Sequence, residues 1–403
     1  MPQSCRRLTS ELESLKVLKE KLDLELIGLP QTGKLEDLVL VRDIKNNLEQ
    51  KLKEFQKQIV VIEWQGFYFD SLKMPGAVEK KKNYHKIQAL NEHTVAVRSI
   101  QVLPDGQIVS GGDDGAIIIR EVHQQGGYYK KQILKTKRAD IPYALQVLPD
   151  SRIIVGYDSG AMIIWELDQV SNCYKAQVIK EGEEELGLVN NLRFLPNGRI
   201  IAGYEKGQIV IWDLDKEGKY FKTQTLKEGY GMPLNTMQVL PDGRIVSSYA
   251  EGPIVIWKTD EQGKYFEDQV FNAGGVETVF ALQVLPDGRM VAGYNKSGNI
   301  IIWEADQQGF YYEGQSFKES DSGYICAMQV LPDGRIIAGY SRGGVIIWEV
   351  NQQGKYVKAQ TLDEKAEGRY FSAAASLSVL PDGRIFSGYG DGRILVWDGD
   401  KVD

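Results

Sequence analysis

From residue 84 to residue 403, short apolar runs alternate with turn-forming residues, and the same order of runs returns repeatedly. Met237 to Phe271 is a representative unit. Met237-Gln238-Val239-Leu240 is a short β-prone run. Pro241-Asp242-Gly243 follows as a tight turn, in which proline presets one backbone angle and glycine accepts a conformation that other residues resist. Arg244 to Ser247 returns as a second strand, and a further turn closes at Gly252. Ile254-Val255-Ile256-Trp257 is a third strand, and Tyr265 to Phe271 is a fourth. No helical stretch interrupts the units, which rules out a β-α-β arrangement.

The proline of this turn falls at Pro104, Pro149, Pro196, Pro241, Pro286, Pro332 and Pro381, at spacings of 45, 47, 45, 45, 46 and 49 residues. A period this long with short strands inside it predicts propeller blades. A lone four-stranded unit would expose two apolar faces, whereas stacking units around an axis buries both. Trp165, Trp212, Trp257, Trp303, Trp348 and Trp397 take one equivalent place on the third strand as inter-blade packing residues, and Arg120 takes it in the first unit. The seventh unit reaches Trp397 and has no fourth strand of its own. Tyr84-His85-Lys86-Ile87-Gln88-Ala89-Leu90 matches fourth strands such as Tyr220 to Leu226, so residues 84–90 are expected to complete the last blade. The expected fold is all-β: a seven-bladed propeller of four-stranded antiparallel blades over 84–403.

The first eighty residues follow another period. Leu8, Leu12, Leu15, Leu18, Leu22 and Leu26 form one helical stripe, and Leu38, Val41, Ile44, Leu48, Leu52, Phe55 and Ile59 form a second. Gly28 to Gly33, with Pro30, separates them. Residues 1–59 read as an α-helical hairpin, or as a coiled-coil segment that self-associates or docks on a partner. Residues 60–83 read as a connector packed on the propeller.

At this point the chain resembles the WD40-repeat family, over roughly residues 84–403. Ser110-Gly111-Gly112-Asp113-Asp114-Gly115, Trp212-Asp213 and Trp397-Asp398 carry the resemblance. Other units depart from it, as at Trp165-Glu166 and Trp257-Lys258. The family's Gly-His dipeptide is absent, which removes sequence support for the hydrogen-bond network built on that histidine. The resemblance implies a platform for peptides and proteins.

A recurring Gly-Tyr pair, Ser248-Tyr249 in one unit, precedes the turn between the second and third strands. Its tyrosines are Tyr157, Tyr204, Tyr249, Tyr294, Tyr340 and Tyr389, with Gly112 at that place in the first unit. The propeller pattern puts these turns on one face, near the central channel, together with the loops that lead from one unit to the next. There the tyrosines either contact a partner or fill the channel mouth as packing. Glu205, Glu251 and Asp391 lie in the same turns, and Glu181 to Glu185 in a neighbouring loop, a rim that favours a basic peptide. Lys206, Lys296 and Arg342 weaken that field.

The net charge of -7 gives no general attraction to nucleic acid. Cys5, Cys173 and Cys326 lie far apart, and the three histidines, His85, His93 and His123, make no metal-ligand pattern. No cofactor, metal or catalytic residue is therefore assigned. The cysteine usage and the lack of a long apolar run fit a cytoplasmic protein without an integral membrane segment, with export without a cleaved leader as the alternative. The expected function is a non-catalytic adaptor that binds a peptide or protein on the tyrosine-bearing face. A carbohydrate or small-ligand binding propeller, or a glycan-processing enzyme, is the alternative.

Overall fold

The computed structural model describes residues 81–401, apart from 124–125, 138–139, 169, 181–185, 196, 217, 227–231, 272–276, 320–321 and 363–371. The expected helical segment 1–59, and the connector up to residue 80, lie outside the described residues.

Seven separate four-stranded antiparallel sheets make up the described chain. Blades 1 to 6 span residues 97–134, 142–180, 189–226, 234–271, 279–318 and 325–362, each in simple chain order from an inner to an outer strand. Blade 7 takes three strands from 374–401 and its outer strand from Lys81–Leu90. Leu90 pairs with Ile394 and His85 with Asp398, so the two ends of the ring are joined by main-chain pairing. The strand begins at Lys81, three residues ahead of the expected start.

The local chemistry explains the strands. In the repeated Pro-Asp-Gly turn, the Gly243 N–H donates to Leu240 O at 2.9 Å, and Asp242 Oδ1 accepts from Arg244 N–H at 3.0 Å. Gly243 holds a φ of 88°, a left-handed value that disfavours any side chain. The apolar residues then collect in clusters shared by adjacent blades. One cluster joins Ile201 and Ile211 of blade 3 to Met237, Val255 and Trp257 of blade 4. Another joins Leu90 and Val396 of blade 7 to Val97 and Ile100 of blade 1. Each buried aliphatic or aromatic side chain contributes about 1.5–3 kcal/mol, so the blade seams are the hydrophobic core of the ring.

An amide clasp reinforces six of the seven seams. Gln88 Nε2 donates to Tyr128 O at 2.7 Å, and Tyr128 N–H donates back to Gln88 Oε1 at 2.7 Å. Gln224 clasps Tyr265, Gln315 clasps Tyr356 and Gln360 clasps Tyr84 in the same two-way manner. Gln132 accepts from Tyr174 N–H, while Gln269 accepts from Tyr311 N–H and donates to Gly309 O. Each glutamine sits on the outer strand of one blade and holds the start of the next outer strand.

Candidate functional site

In all seven blades, the first N–H of the second turn donates to the carbonyl just ahead of the inner strand. The pairs are Asp113 to Ala96, Asp158 to Ile141, Glu205 to Leu188, Ala250 to Pro233, Asn295 to Thr278, Ser341 to Tyr324 and Gly390 to Ala373, at 2.8–3.1 Å. The second turns and the ends of the inter-blade loops therefore share one face.

Directly beyond that contact, every inner strand carries one extra residue against its neighbour. Arg98 is the extra residue in blade 1, between Val97 paired to Gly112 and Ser99 paired to Gly111. Tyr143, Asn190, Asn235, Phe280, Cys326 and Ala375 are its equivalents. A bulge of this kind re-aims a side chain off the ladder. The flanking residues repeat, yet these seven positions hold six residue types. Arg98 donates twice to Asp113, at 2.7 Å each, and its guanidinium lies 5.2 Å over the Tyr143 ring. Asn190 donates to Leu234 O. Phe280 is 45% exposed, and Tyr324, at the carbonyl contact of blade 6, is 47% exposed. Burial pushes the Cys326 thiol up to about 11, so it stays protonated and unreactive at neutral pH.

The six turn tyrosines lie elsewhere. Tyr157, Tyr204, Tyr249 and Tyr340 are 0% exposed, Tyr294 1% and Tyr389 4%. They belong to the inter-blade clusters; Tyr249, for example, lies among Leu234, Met237 and Trp257. Partner contact through these rings is corrected: they face the core, and packing describes them. Trp165 Nε1 donates to the Tyr157 hydroxyl at 3.2 Å, and burial pushes the Tyr157, Tyr294 and Tyr340 phenols up.

The acidic residues of the rim do stand on the face. Lys296 Nζ donates to Glu251 Oε1 at 2.9 Å across blades 4 and 5, and Arg393 Nε donates to Asp391 Oδ2 at 2.8 Å. Glu251 also carries a φ of 51°, whereas the other second turns place the left-handed residue at glycine, as at Gly207 and Gly343. Pro253 follows Gly252 and restricts it, which moves the left-handed residue one place upstream. Glu205 lies beside Gly187, where a Cβ would stand 3.1 Å from Glu205 Oε2.

Blade 1 holds a polar network for which the sequence offered no support. His93 Nδ1 lies 3.1 Å from both Asp114 carboxylate oxygens, and His93 Nε2 lies 2.8 Å from Ser110 Oγ. Arg120 Nη1 donates to Ser110 Oγ at 2.7 Å, and Nη2 donates to Glu92 Oε2 at 2.9 Å. Arg120 is fully buried, in the place that tryptophan fills in the other blades. Burial draws the His93 pKa down, against the opposing pull of Asp114. The neutral ring then has its proton on Nδ1, facing the carboxylate. The histidine arrives on Glu92-His93 instead of Gly-His. The overlooked signal was a histidine shortly before Ser110 in the one unit that has glycine for the turn tyrosine.

At the opposite ends of the strands, a cleft of about 430 Å³ opens between blades 4 and 5, lined by Asp242, Arg244, Asp287, Arg289, Glu304 and Tyr311. Its arginines are engaged: Arg244 with Asp242 and Arg289 with Asp287. Among the described residues, no group of three or more His, Cys, Asp or Glu is placed to hold a metal ion. No helix among them is long and apolar enough to cross a membrane.

A family model described as "WD domain, G-beta repeat" matches residues 84–120 and 371–398. The two segments adjoin in the ring, comprising most of blade 7 and the first three strands of blade 1. No curated protein matches the chain. Among solved structures, the WD40 beta propeller domain of Doa1 is similar with a TM-score of 0.61 and 17% sequence identity, covering 79% of this chain and 98% of that one. At that identity the likeness shows the fold, a β-propeller, and the family-model match falls where the ring closes.

Proposed function

We propose that this chain is a non-catalytic interaction platform that binds a peptide or protein segment across the face carrying the seven bulged residues. The observation that supports this reading is the contrast between framework and face. Prolines, tryptophans and buried tyrosines repeat from blade to blade, while the bulge positions vary as Arg98, Tyr143, Asn190, Asn235, Phe280, Cys326 and Ala375. Unlike side chains on a uniform framework suit the recognition of one asymmetric partner. Tyr143 and Phe280 supply aromatic surface, and Arg98, Asn190 and Asn235 supply polar contacts. Glu205, Glu251 and Asp391 form an acidic rim that favours a basic partner, with Lys296 and Arg393 limiting the field. Tyr157, Tyr204, Tyr249, Tyr294, Tyr340 and Tyr389 hold the face from beneath. The platform role usual among WD40 propellers agrees with this reading.

The test is a quantitative affinity capture with the wild type beside an Arg98→Ala/Tyr143→Ala/Phe280→Ala variant of unchanged melting temperature. Captured proteins are then titrated in purified form by calorimetry. A protein that binds the wild type directly and loses at least tenfold in affinity for the variant is the expected result. Equal binding to both removes the face from the interaction.

A further inference from the structure

Blade 2 departs from the other six at its outer strand, Cys173–Lys180. In every other blade, the pairing of the third and outer strands is interrupted beside the tryptophan, or beside Arg120 in blade 1. The sequence cause is spacing: three residues separate the outer-strand tyrosine from its glutamine, as in Tyr265-Phe266-Glu267-Asp268-Gln269. Blade 2 has two, in Tyr174-Lys175-Ala176-Gln177. Its register therefore runs unbroken through six pairs, from Ile163 with Val178 to Asp168 with Cys173.

Two consequences follow. Bulges blunt an exposed sheet edge; in blade 2 the shift is displaced to Ile179, between Val178 paired to Ile163 and Lys180 paired to Met162, so the edge from Cys173 to Val178 stays regular. The missing residue also shifts the glutamine: Gln177 is exposed, and no clasp joins it to Tyr220 of blade 3. Tyr174 N–H donates outward to Gln132 of blade 1, which fixes the side on which the free edge lies. Strand alternation puts the N–H and C=O of Ala176 and Val178 on that same side. This strand is the last of its sheet. Val178 is 53% exposed beside these main-chain groups.

We propose that the outer edge of Cys173–Lys180 is a strand-addition site for an extended, acidic segment of a partner protein. Main-chain pairing at Ala176 and Val178 supplies the attachment. The charge of the partner follows from the surroundings. The outer strands of blades 1, 2 and 3 carry Lys130, Lys131, Lys175, Lys180 and Lys222 and no carboxylate, whereas that of blade 4 carries Glu267 and Asp268. Lys175 meets Asp168 and lies opposite Glu166, and Lys131 meets Glu121; the five lysines of these outer strands outnumber those three carboxylates. Glu181 to Glu185 follow the strand, so the partner's carboxylates belong opposite its Tyr174–Gln177 half. This site is separate from the bulge-bearing face, and either assignment can fail without the other.

The experiment uses the full chain and a fluorescein-labelled eight-residue peptide alternating valine and glutamate, followed by fluorescence anisotropy and amide hydrogen exchange. A lysine-for-glutamate peptide is the control. The expected result is saturable binding, exchange slowed at least tenfold within 173–180, and at least tenfold weaker binding of the lysine peptide. Val178→Pro removes an outward N–H and leaves the inner ladder intact, so it should weaken binding at least tenfold with no change in melting temperature. Inserting an alanine between Ala176 and Gln177 restores the spacing of the other blades; it should raise the melting temperature and abolish binding. Should Val178→Pro not fold, the insertion variant decides. Unchanged binding in the insertion variant, protection confined to other residues, pairing of two copies of the chain at this strand, or no binding at all overturns the proposal.

Discussion

A Cβ placed on Gly112 would stand 2.6 Å from His93 Nδ1. Gly112 occupies the position of the buried turn tyrosines, so the imidazole of blade 1 stands against the site where six other blades begin a phenol. The two solutions exclude each other sterically. One blade uses glycine with a histidine network; the others use tyrosine and need no histidine.

This exclusion predicts a measurable coupling. Gly112→Ala should lower stability by about 1–3 kcal/mol, the usual range for overpacking. In a His93→Ala background the same substitution should be far milder, because the imidazole that it meets is gone. Urea unfolding of the four proteins of the cycle should give an interaction energy of about 1 kcal/mol or more. Additive losses would show that the backbone moves to relieve the contact.

The same network makes stability depend on pH. Burial holds His93 below its ordinary value of about 6.5 even with Asp114 beside it, so the unfolded chain takes up the proton first. Stability is full above pH 6.5, falls as the pH drops through that value, and levels off once the folded histidine is protonated. Glu92 and Asp114 act in a lower window. Burial raises both, but the charges and hydrogen bonds of Arg120 and His93 draw both below the usual carboxylate range. Their contribution is lost as the pH falls through those lowered values. His93→Gln should remove the upper step, measured as unfolding free energy between pH 7 and pH 5, and retain of the lower one the part that Arg120 sets through Glu92.

Ser151 reports on the repeated turn in another way. It holds a φ of 66° where Gly106, Gly198, Gly243, Gly288, Gly334 and Gly383 stand in the other blades. A left-handed conformation costs an L-residue about 1–2 kcal/mol. Glycine gives back roughly 0.5–1 kcal/mol through the freedom of the unfolded chain. Ser151→Gly should therefore stabilise the protein by about 0.5–1 kcal/mol, read as a rise in melting temperature. A fall would mean that the serine side chain makes a compensating bond.

The ring and its seven blades were legible because a proline turn and a tryptophan recur at one period, and period alone specifies stacked units. The face was less legible. A tyrosine repeated beside a turn has the same sequence whether its ring is buried or exposed; it is buried because the second strand lies between two blade seams, with Tyr157 on the face of Ile153 and Val155 and Ile154 on the other. The useful mark was variability: six residues before each repeat proline stand Arg98, Tyr143, Asn190, Asn235, Phe280, Cys326 and Ala375. The clasps were hidden for a different reason. A glutamine on an exposed outer strand looks like a solubilising residue until the neighbouring blade brings a tyrosine backbone to its amide.

That amide distinguishes two glutamines of the same repeat position. Gln360 bonds both main-chain groups of Tyr84, at 2.7 and 2.9 Å, and so ties blade 6 to the strand that closes the ring. Gln360→Met keeps the length of the side chain and removes both bonds, leaving a half-buried N–H and C=O without their partner. Each such group costs about 1–3 kcal/mol, and partial access of water to this seam favours the lower end. Gln177 is exposed and makes no clasp among the described residues, so Gln177→Met should change stability by no more than about 0.5 kcal/mol. Hydrogen exchange separates the two further: Gln360→Met should speed exchange at the Tyr84 end of Lys81–Leu90 before any other strand, because this clasp holds that end to blade 6, while the Gln88–Tyr128 clasp still holds the other end to blade 1. Equal losses for the two substitutions would mean that the hydrophobic seams alone hold the ring shut.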